Sequence, residues 1–172
     1  MACEIRLAQE ADVAAIAEIG AITFARAYGD IVLESDMAGY VEAFFDPELL
    51  SHEIISGSAT YFIAEGAEGI VGYAKIAQTE PPQQLAEQRV IELIRLYVMP
   101  GFYGSGIGGE LLQSVKRYAA ASGFAGLWLR VWEKNSGAIR LYERDGFSAL
   151  AVEPYYIGTT ANPVLLMCRA LE

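Results

Sequence analysis

The chain is poor in the residues that build metal centres and disulfide frameworks. It has one histidine, His52, and two cysteines, Cys3 and Cys168, placed near opposite ends of 172 residues. That supply excludes a cysteine-stapled scaffold and a zinc module, and no metal site is expected. Cys168 lies in an apolar run with nothing nearby to activate it as a nucleophile. His52 lies in a polar helical region and reads as a surface residue. Long apolar runs are missing too. Hydrophobic residues make up 53% of the chain, yet no run approaches the roughly 20 residues a membrane helix needs. The first 20 residues carry Glu4, Glu10, Asp12 and Glu18, which do not read as an export signal. A cytoplasmic protein with no membrane partner is the expectation.

Positive charge is scarce as well. Twelve Lys and Arg stand against 22 Asp and Glu, a formal net charge of −10, which disfavours a nucleic-acid partner. The deficit is concentrated in residues 1–60, where eleven acids from Glu4 to Glu53 face only Arg6 and Arg26. An acidic surface of that kind attracts cations.

What is present is a sequence of alternating strand and helix patterns. "EIRLA" reads as a short strand, and Val13, Ile16, Ile19 and Ile22 follow at helical spacing. A second helical region runs from about Glu34 to Ile55, with a break at Asp46–Pro47. "ATYFIAEG" and "GIVGYAKI" form a hairpin pattern across Gly66–Gly69. "VIELIRLYVMP" and "GLWLRVW" are near-continuous apolar strands, a sign of burial on both faces. Leu111, Leu112, Val115, Tyr118 and Ala119 trace a helix that Gly123 closes, and Ser136 to Asp145 form another. Two strands, "FSALAVEPYYIG" and "NPVLLMCRAL", end the chain. No repeat, linker or low-complexity segment interrupts residues 1–172, so one domain of mixed α/β class is expected.

"YVMPGFYGSGIGGELL", Tyr97 to Leu112, packs five glycines into the nine residues from Gly101 to Gly109. Glycine admits positive φ and close approach of a ligand to the backbone. Between a buried strand and a helix, such a loop gathers free N–H groups at a helix N-terminus, an arrangement suited to phosphate. No Lys-Ser or Lys-Thr follows the glycines, which excludes a P-loop, and the βαβ acid of a dinucleotide fold is missing.

"LYVMPGFYGSGIGGELL" followed by "LWLRVWEKNSGAIRLYERDGF" resembles the GCN5-related N-acetyltransferase superfamily. Across the whole chain, with "TFARAY", "YFIAEG" and "VGYAKI", the pattern is most similar to its PaiA-type branch, whose members acetylate spermidine and spermine. The resemblance implies a mixed, mostly antiparallel central sheet with splayed middle strands and helices on both faces. It implies acetyl-CoA as cofactor, its diphosphate held by Tyr103, Gly104, Ser105, Gly106, Ile107, Gly108 and Gly109. Tyr103 departs from the Arg or Gln usual at that position, which leaves phosphate binding to the backbone. The resemblance further implies that backbone around Leu96, Tyr97 and Val98 pairs with the pantetheine arm, and that Asn135 and Ala138 contact the cofactor.

An alkylammonium acceptor is protonated at pH 7, so transfer needs a base, and the departing thiolate needs an acid. The resemblance gives those roles to Glu92 and Tyr142. Simple alternation puts Glu92, Ile94, Leu96 and Val98 on one face of the strand. Glu92 also reads as a strand-end carboxylate facing solvent or paired with Arg95 or Arg89, Tyr142 as a core tyrosine, and Asn135 as a helix N-cap. The acceptor site implied by the resemblance lies at the first two helices and last strands. Tyr28, Glu34, Tyr155 and Tyr156 are the candidate contacts there, beside Asp30, Asp36, Glu42 and Tyr40. Carboxylates and ring faces suit a polyamine, while a basic peptide or protein N-terminus would be drawn equally. A coenzyme A-binding regulator without catalysis is the rival class. Oligomeric state, a homodimer included, is left open.

Overall fold

The computed structural model describes residues 3–172. In chain order the elements are β1 (Glu4–Leu7), α1 (Val13–Tyr28), α2 (Glu34–Phe44), α3 (Pro47–Ser56), β2 (Thr60–Gly66) and β3 (Gly69–Ala77). Then follow β4 (Val90–Val98), α4 (Ile107–Ala121), β5 (Gly126–Trp132), α5 (Ser136–Arg144), β6 (Ser148–Ile157) and β7 (Thr160–Ala170). The strands form one sheet in the order β1-β2-β3-β4-β5-β7-β6. All neighbours are antiparallel except β4 and β5. This is the mixed, mostly antiparallel sheet expected. No helix is long and apolar enough to cross a membrane among the described residues.

Local signals account for the breaks. Asp46 accepts from the Leu49 N–H and Pro47 starts α3, which is how one helical region becomes two. Gly123, at φ 79°, ends the chain's run through α4. Along α4, Ile107, Leu111, Leu112, Val115 and Ala119 lie at i, i+4 spacing and are buried. They pack on Ile91 and Leu93 of β4 and Leu127 and Leu129 of β5, with Tyr142 of α5 in the same cluster. On the opposite face α1 and α3 cover Tyr61, Ile63 and Tyr73. Phe24, Tyr40, Phe45 and Ile157 join α1, α2 and the end of β6.

Two departures from regular pairing shape the centre of the sheet. β4 and β5 are paired only from Val90↔Gly126 to Leu93↔Leu129. Beyond that point each strand continues unpaired with the other, so the sheet splays open as the resemblance implied. The second departure is a β-bulge against β3: Lys75 pairs with Arg95 but Ile76 pairs with Leu93, leaving Ile94 extra. An extra residue reverses the alternation of faces beyond it. Leu96 and Val98 therefore join Ile91 and Leu93 against the α4 cluster, and Tyr97 faces α1 and α2. The expectation that Glu92 shares a face with Leu96 and Val98 is overturned. Glu92 shares its face with Arg95 and Tyr97 instead.

Candidate active site

The glycine stretch leaves β4 through a turn at Pro100–Phe102 and enters α4 at Gly106. Gly104 and Gly106 have φ of 77° and 90°, values that side chains with a Cβ adopt only at a cost. Ser105 is exposed, and its hydroxyl donates to the Phe102 carbonyl at 2.6 Å. The N–H groups of Gly104, Gly106, Ile107, Gly108 and Gly109 donate to no acceptor among the described residues, and the first return bond of the helix is Glu110 N–H to Gly106 carbonyl, 3.1 Å. A Cβ placed on Gly101, Gly104, Gly106 or Gly109 would meet nothing within 4 Å. Free donors with open space before them at a helix N-terminus fit a phosphate group. Tyr103 is 57% exposed and makes no side-chain hydrogen bond among the described residues. The unpaired edge of β4, from Leu96 to Val98, adjoins this loop.

Tyr142 projects from α5 into the α4 cluster and is 7% exposed. Its ring packs on Phe147 at 5.6 Å, and its hydroxyl has no hydrogen-bond partner among the described residues. Burial, with Tyr97 adding, pushes its phenol well above the ordinary range, so it stays protonated and able to donate at neutral pH. Asn135 caps α5, its Oδ1 accepting the Ala138 N–H at 3.1 Å. The capping role is thus filled by Asn135, and Ser136 is the first helical residue.

Glu92 is buried where β4 still pairs with β5, opposite Trp128. One carboxylate oxygen accepts from Arg130 at 2.7 Å, the other from the Thr79 hydroxyl at 2.5 Å. Its ion-pair partner is therefore Arg130 of β5, in place of the Arg95 or Arg89 expected. Arg130 also reaches Glu153 of β6 at 2.7 Å. Sequence proximity suggested the wrong arginine because the bulge and the parallel β4–β5 pairing bring in a residue 38 positions away.

The acceptor-side candidates separate into two groups. Tyr28 and Tyr155 are half-buried: Tyr28 packs against Trp132 at 5.4 Å, and the Tyr155 and Tyr40 hydroxyls share a hydrogen bond of 3.0 Å. Glu34 and Tyr156 stand exposed at the rim. Tyr156 lines a cavity of about 270 Å³ with Tyr40, Phe44 and Asp36, between α2 and the β6–β7 turn. Asp36 is engaged there with Thr159. Sequence reading missed Arg130, Thr79 and Trp132, and named Arg95 only as a partner for Glu92. The charged members were signalled only by their presence inside apolar strands.

Comparisons with known proteins agree with this geometry. The family described as "Acetyltransferase (GNAT) family" matches residues 25–147. An uncharacterized N-acetyltransferase of Mycobacterium tuberculosis is 28% identical over 156 residues, covering 91% of this chain and 96% of its own. Streptothricin acetyltransferase of Streptomyces lavendulae is 35% identical over 103 residues, 59% of this chain and 51% of its own. Among solved structures, the PaiA N-acetyltransferase of Thermoplasma acidophilum in complex with coenzyme A has a TM-score of 0.79 at 21% identity, with 99% of each chain covered. On the family match, with the glycine loop and splayed strands in place, this chain belongs to the acetyltransferase (GNAT) family and is an N-acetyltransferase.

Proposed function

We propose that the protein transfers an acetyl group from acetyl-CoA directly to a primary amine. The observation that carries this is the row of unpartnered amides at Gly104, Gly106, Ile107, Gly108 and Gly109 beside the unpaired edge of β4. The cofactor supplies an activated thioester; the rest falls to this chain's side chains and backbone. The loop amides hold the diphosphate, and the free backbone groups of Leu96 and Val98, on either side of Tyr97, hold the arm as an added strand would be held. Asn135, by capping α5, fixes the start of the helix that carries Tyr142. Tyr142 then holds a proton inside the α4 cluster, ready for a departing thiolate.

Glu92 takes the proton of the incoming ammonium. Thr79 and Arg130 fix both its oxygens, and each oxygen keeps a lone pair to accept another donor. A water between Glu92 and the amine serves this geometry better than direct contact, since the carboxylate is 6% exposed. A second reading is favoured by the Arg130 bridge itself, in which Glu92 is one half of a structural ion pair. Glu92→Gln separates them. The base reading expects a fall in kcat of about 10²-fold or more with a changed pH profile and a near-unchanged melting temperature. A stability loss with intact turnover would leave only the ion pair.

The acceptor enters from the face of α1 and α2. Spermidine and spermine, suggested by the resemblance, draw support from the exposed rim acids Asp30, Glu34 and Glu42 and from the rings of Tyr28, Tyr155 and Tyr156. Thiol release from acetyl-CoA, measured in parallel with polyamines, free amino acids and basic peptides, tests both the transfer and its acceptor. No turnover with any amine despite tight acetyl-CoA binding would point to the non-catalytic regulator.

A further inference from the structure

Four charged side chains are buried among the described residues: Asp12, Lys75, Glu92 and Arg95. Asp12 is paired with Arg6, Lys75 with Glu53 and Glu92 with Arg130. Arg95 has no carboxylate. Its guanidinium is held by two phenol oxygens, Nη1 donating to Tyr97 and Nη2 to Tyr40, both at 3.2 Å. Two of its five N–H groups are thereby used. Four rings surround it, with centroids at 4.7 Å for Phe45, 5.7 Å for Tyr40, 5.8 Å for Tyr97 and 5.9 Å for Phe44. The residue opposite on β3 is Lys75, a second cation, whose Glu53 partner is already shared with Tyr61. The neighbourhood is thus short of one negative charge.

Location gives this shortage a meaning. Arg95 is the second residue beyond the last β4–β5 pair, Leu93↔Leu129, at the start of the splay. The bulge at Ile94 turns it away from α4 and toward α1 and α2. It therefore borders the point where the acceptor amine would meet the acetyl group, on the side opposite the phosphate loop. Tyr40 and Phe44 also wall the cavity between α2 and the β6–β7 turn, so two of the rings around the guanidinium border that opening.

We propose that Arg95 is the receptor for a carboxylate on the acceptor, which makes the substrate class an amino acid rather than a polyamine. The planar fork of an arginine matches a carboxylate in a way no ring face can. A buried cation gains more from such a partner than an exposed one would. The closeness of Arg95 to the transfer point calls for an amine and carboxylate on neighbouring atoms, as in an α-amino acid. The flanking rings of Tyr40 and Phe44 favour an apolar or aromatic side chain. An acceptor with several positive charges would bring its second ammonium toward this guanidinium and be rejected.

The inference rests on the transferase reading above, and the experiment keeps the two apart. Initial rates of thiol release are measured for matched pairs that differ by the carboxylate, phenylalanine against 2-phenylethylamine and leucine against 3-methylbutylamine, with spermidine alongside. The wild-type enzyme is expected to favour the amino acid of each pair by about tenfold or more in kcat/KM. Arg95→Gln should collapse that ratio, chiefly through the KM of the amino acid, with Arg95→Lys restoring part of it. Should Arg95→Gln fail to fold, inhibition of the wild type decides: 3-phenylpropionate should compete with the acceptor and its amide should not. Preference for the decarboxylated amines or spermidine, or a ratio unchanged in Arg95→Gln, overturns the inference while leaving the transferase intact. No turnover with any acceptor would instead overturn the transferase reading beneath it.

Discussion

The two faces of β4 are built from opposite materials. Toward α4 the strand shows Ile91, Leu93, Leu96 and Val98, packed among aliphatic side chains, and the loop it feeds offers only glycine and main-chain N–H groups. Toward α1 and α2 it shows Glu92, Arg95 and Tyr97, held by Arg130, Thr79 and Tyr40. On the proposed reading, one face holds a large ligand by backbone, without a charge of its own. The other carries fixed charges and phenols, to which the proposals above assign the choice and preparation of a small one. The single extra residue at Ile94 makes the division, since without it Arg95 and Glu92 would lie on opposite faces. If the two sites divide in this way, acceptor and cofactor contacts share a strand but not a face and can be altered separately.

The largest effect that would sharpen this contrast is Gly106→Val. Valine at φ 90° is strained by roughly 1–2 kcal/mol or more, and it misdirects the amides behind it. Acetyl-CoA affinity by calorimetry should fall by about 10³-fold or more, a loss no substitution at Arg95 or Glu92 should reproduce. Equal losses from either face would erase the division. Next in size is Tyr142→Phe. Removing the hydroxyl takes away the proton donor but not the ring that packs on Phe147. The expected result is a fall in kcat of about 10²-fold with acetyl-CoA affinity within about threefold of wild type. Lost affinity with intact turnover would make Tyr142 a packing residue.

A smaller effect should appear in stability at high pH. Burial raises the phenol pKa of Tyr28, Tyr61, Tyr73, Tyr97 and Tyr155 on the α1–α3 face, and of Tyr142 alone on the α4 face. The folded protein keeps those protons where the unfolded chain would release them. Stability is therefore intact below a pH of about 10 and declines as pH rises beyond it. The urea midpoint should fall steeply from about pH 10 upward, and less steeply, by the same one-proton share, in Tyr61→Phe and in Tyr142→Phe. A midpoint flat to pH 11 would show that these phenols ionise without unfolding the face they line.

The geometry of the glycine loop was legible in the sequence and the surroundings of Arg95 were not. Glycines between a buried strand and a helix announce positive φ and free amides wherever they occur, so Gly104 and Gly106 needed no tertiary knowledge. Asn135 as a helix cap and Tyr142 as an inward ring were legible in a compact helical segment, while their proposed roles came through the resemblance. The splay between β4 and β5 leaves no mark in side chains and came through the resemblance. The face reversal at Ile94 was hidden because "VIELIRLYV" is apolar on both sides of the bulge, so alternation carried no information. The Arg95 cage was hidden for a different reason. Its rings come from α2, the turn after it and β4, and only the folded chain brings Tyr40, Phe44, Phe45 and Tyr97 around one guanidinium. Acid counting suggested a cation site where the interior holds a cation of its own.

The central claim is that main-chain amides from Gly104 to Gly109 grip the cofactor. Amide-resolved NMR during titration with acetyl-CoA tests it most directly. The account expects the largest proton and nitrogen shifts at Gly104, Gly106, Ile107, Gly108 and Gly109, with slowed exchange of those protons. Saturable binding that leaves these five resonances unmoved while others shift would contradict it.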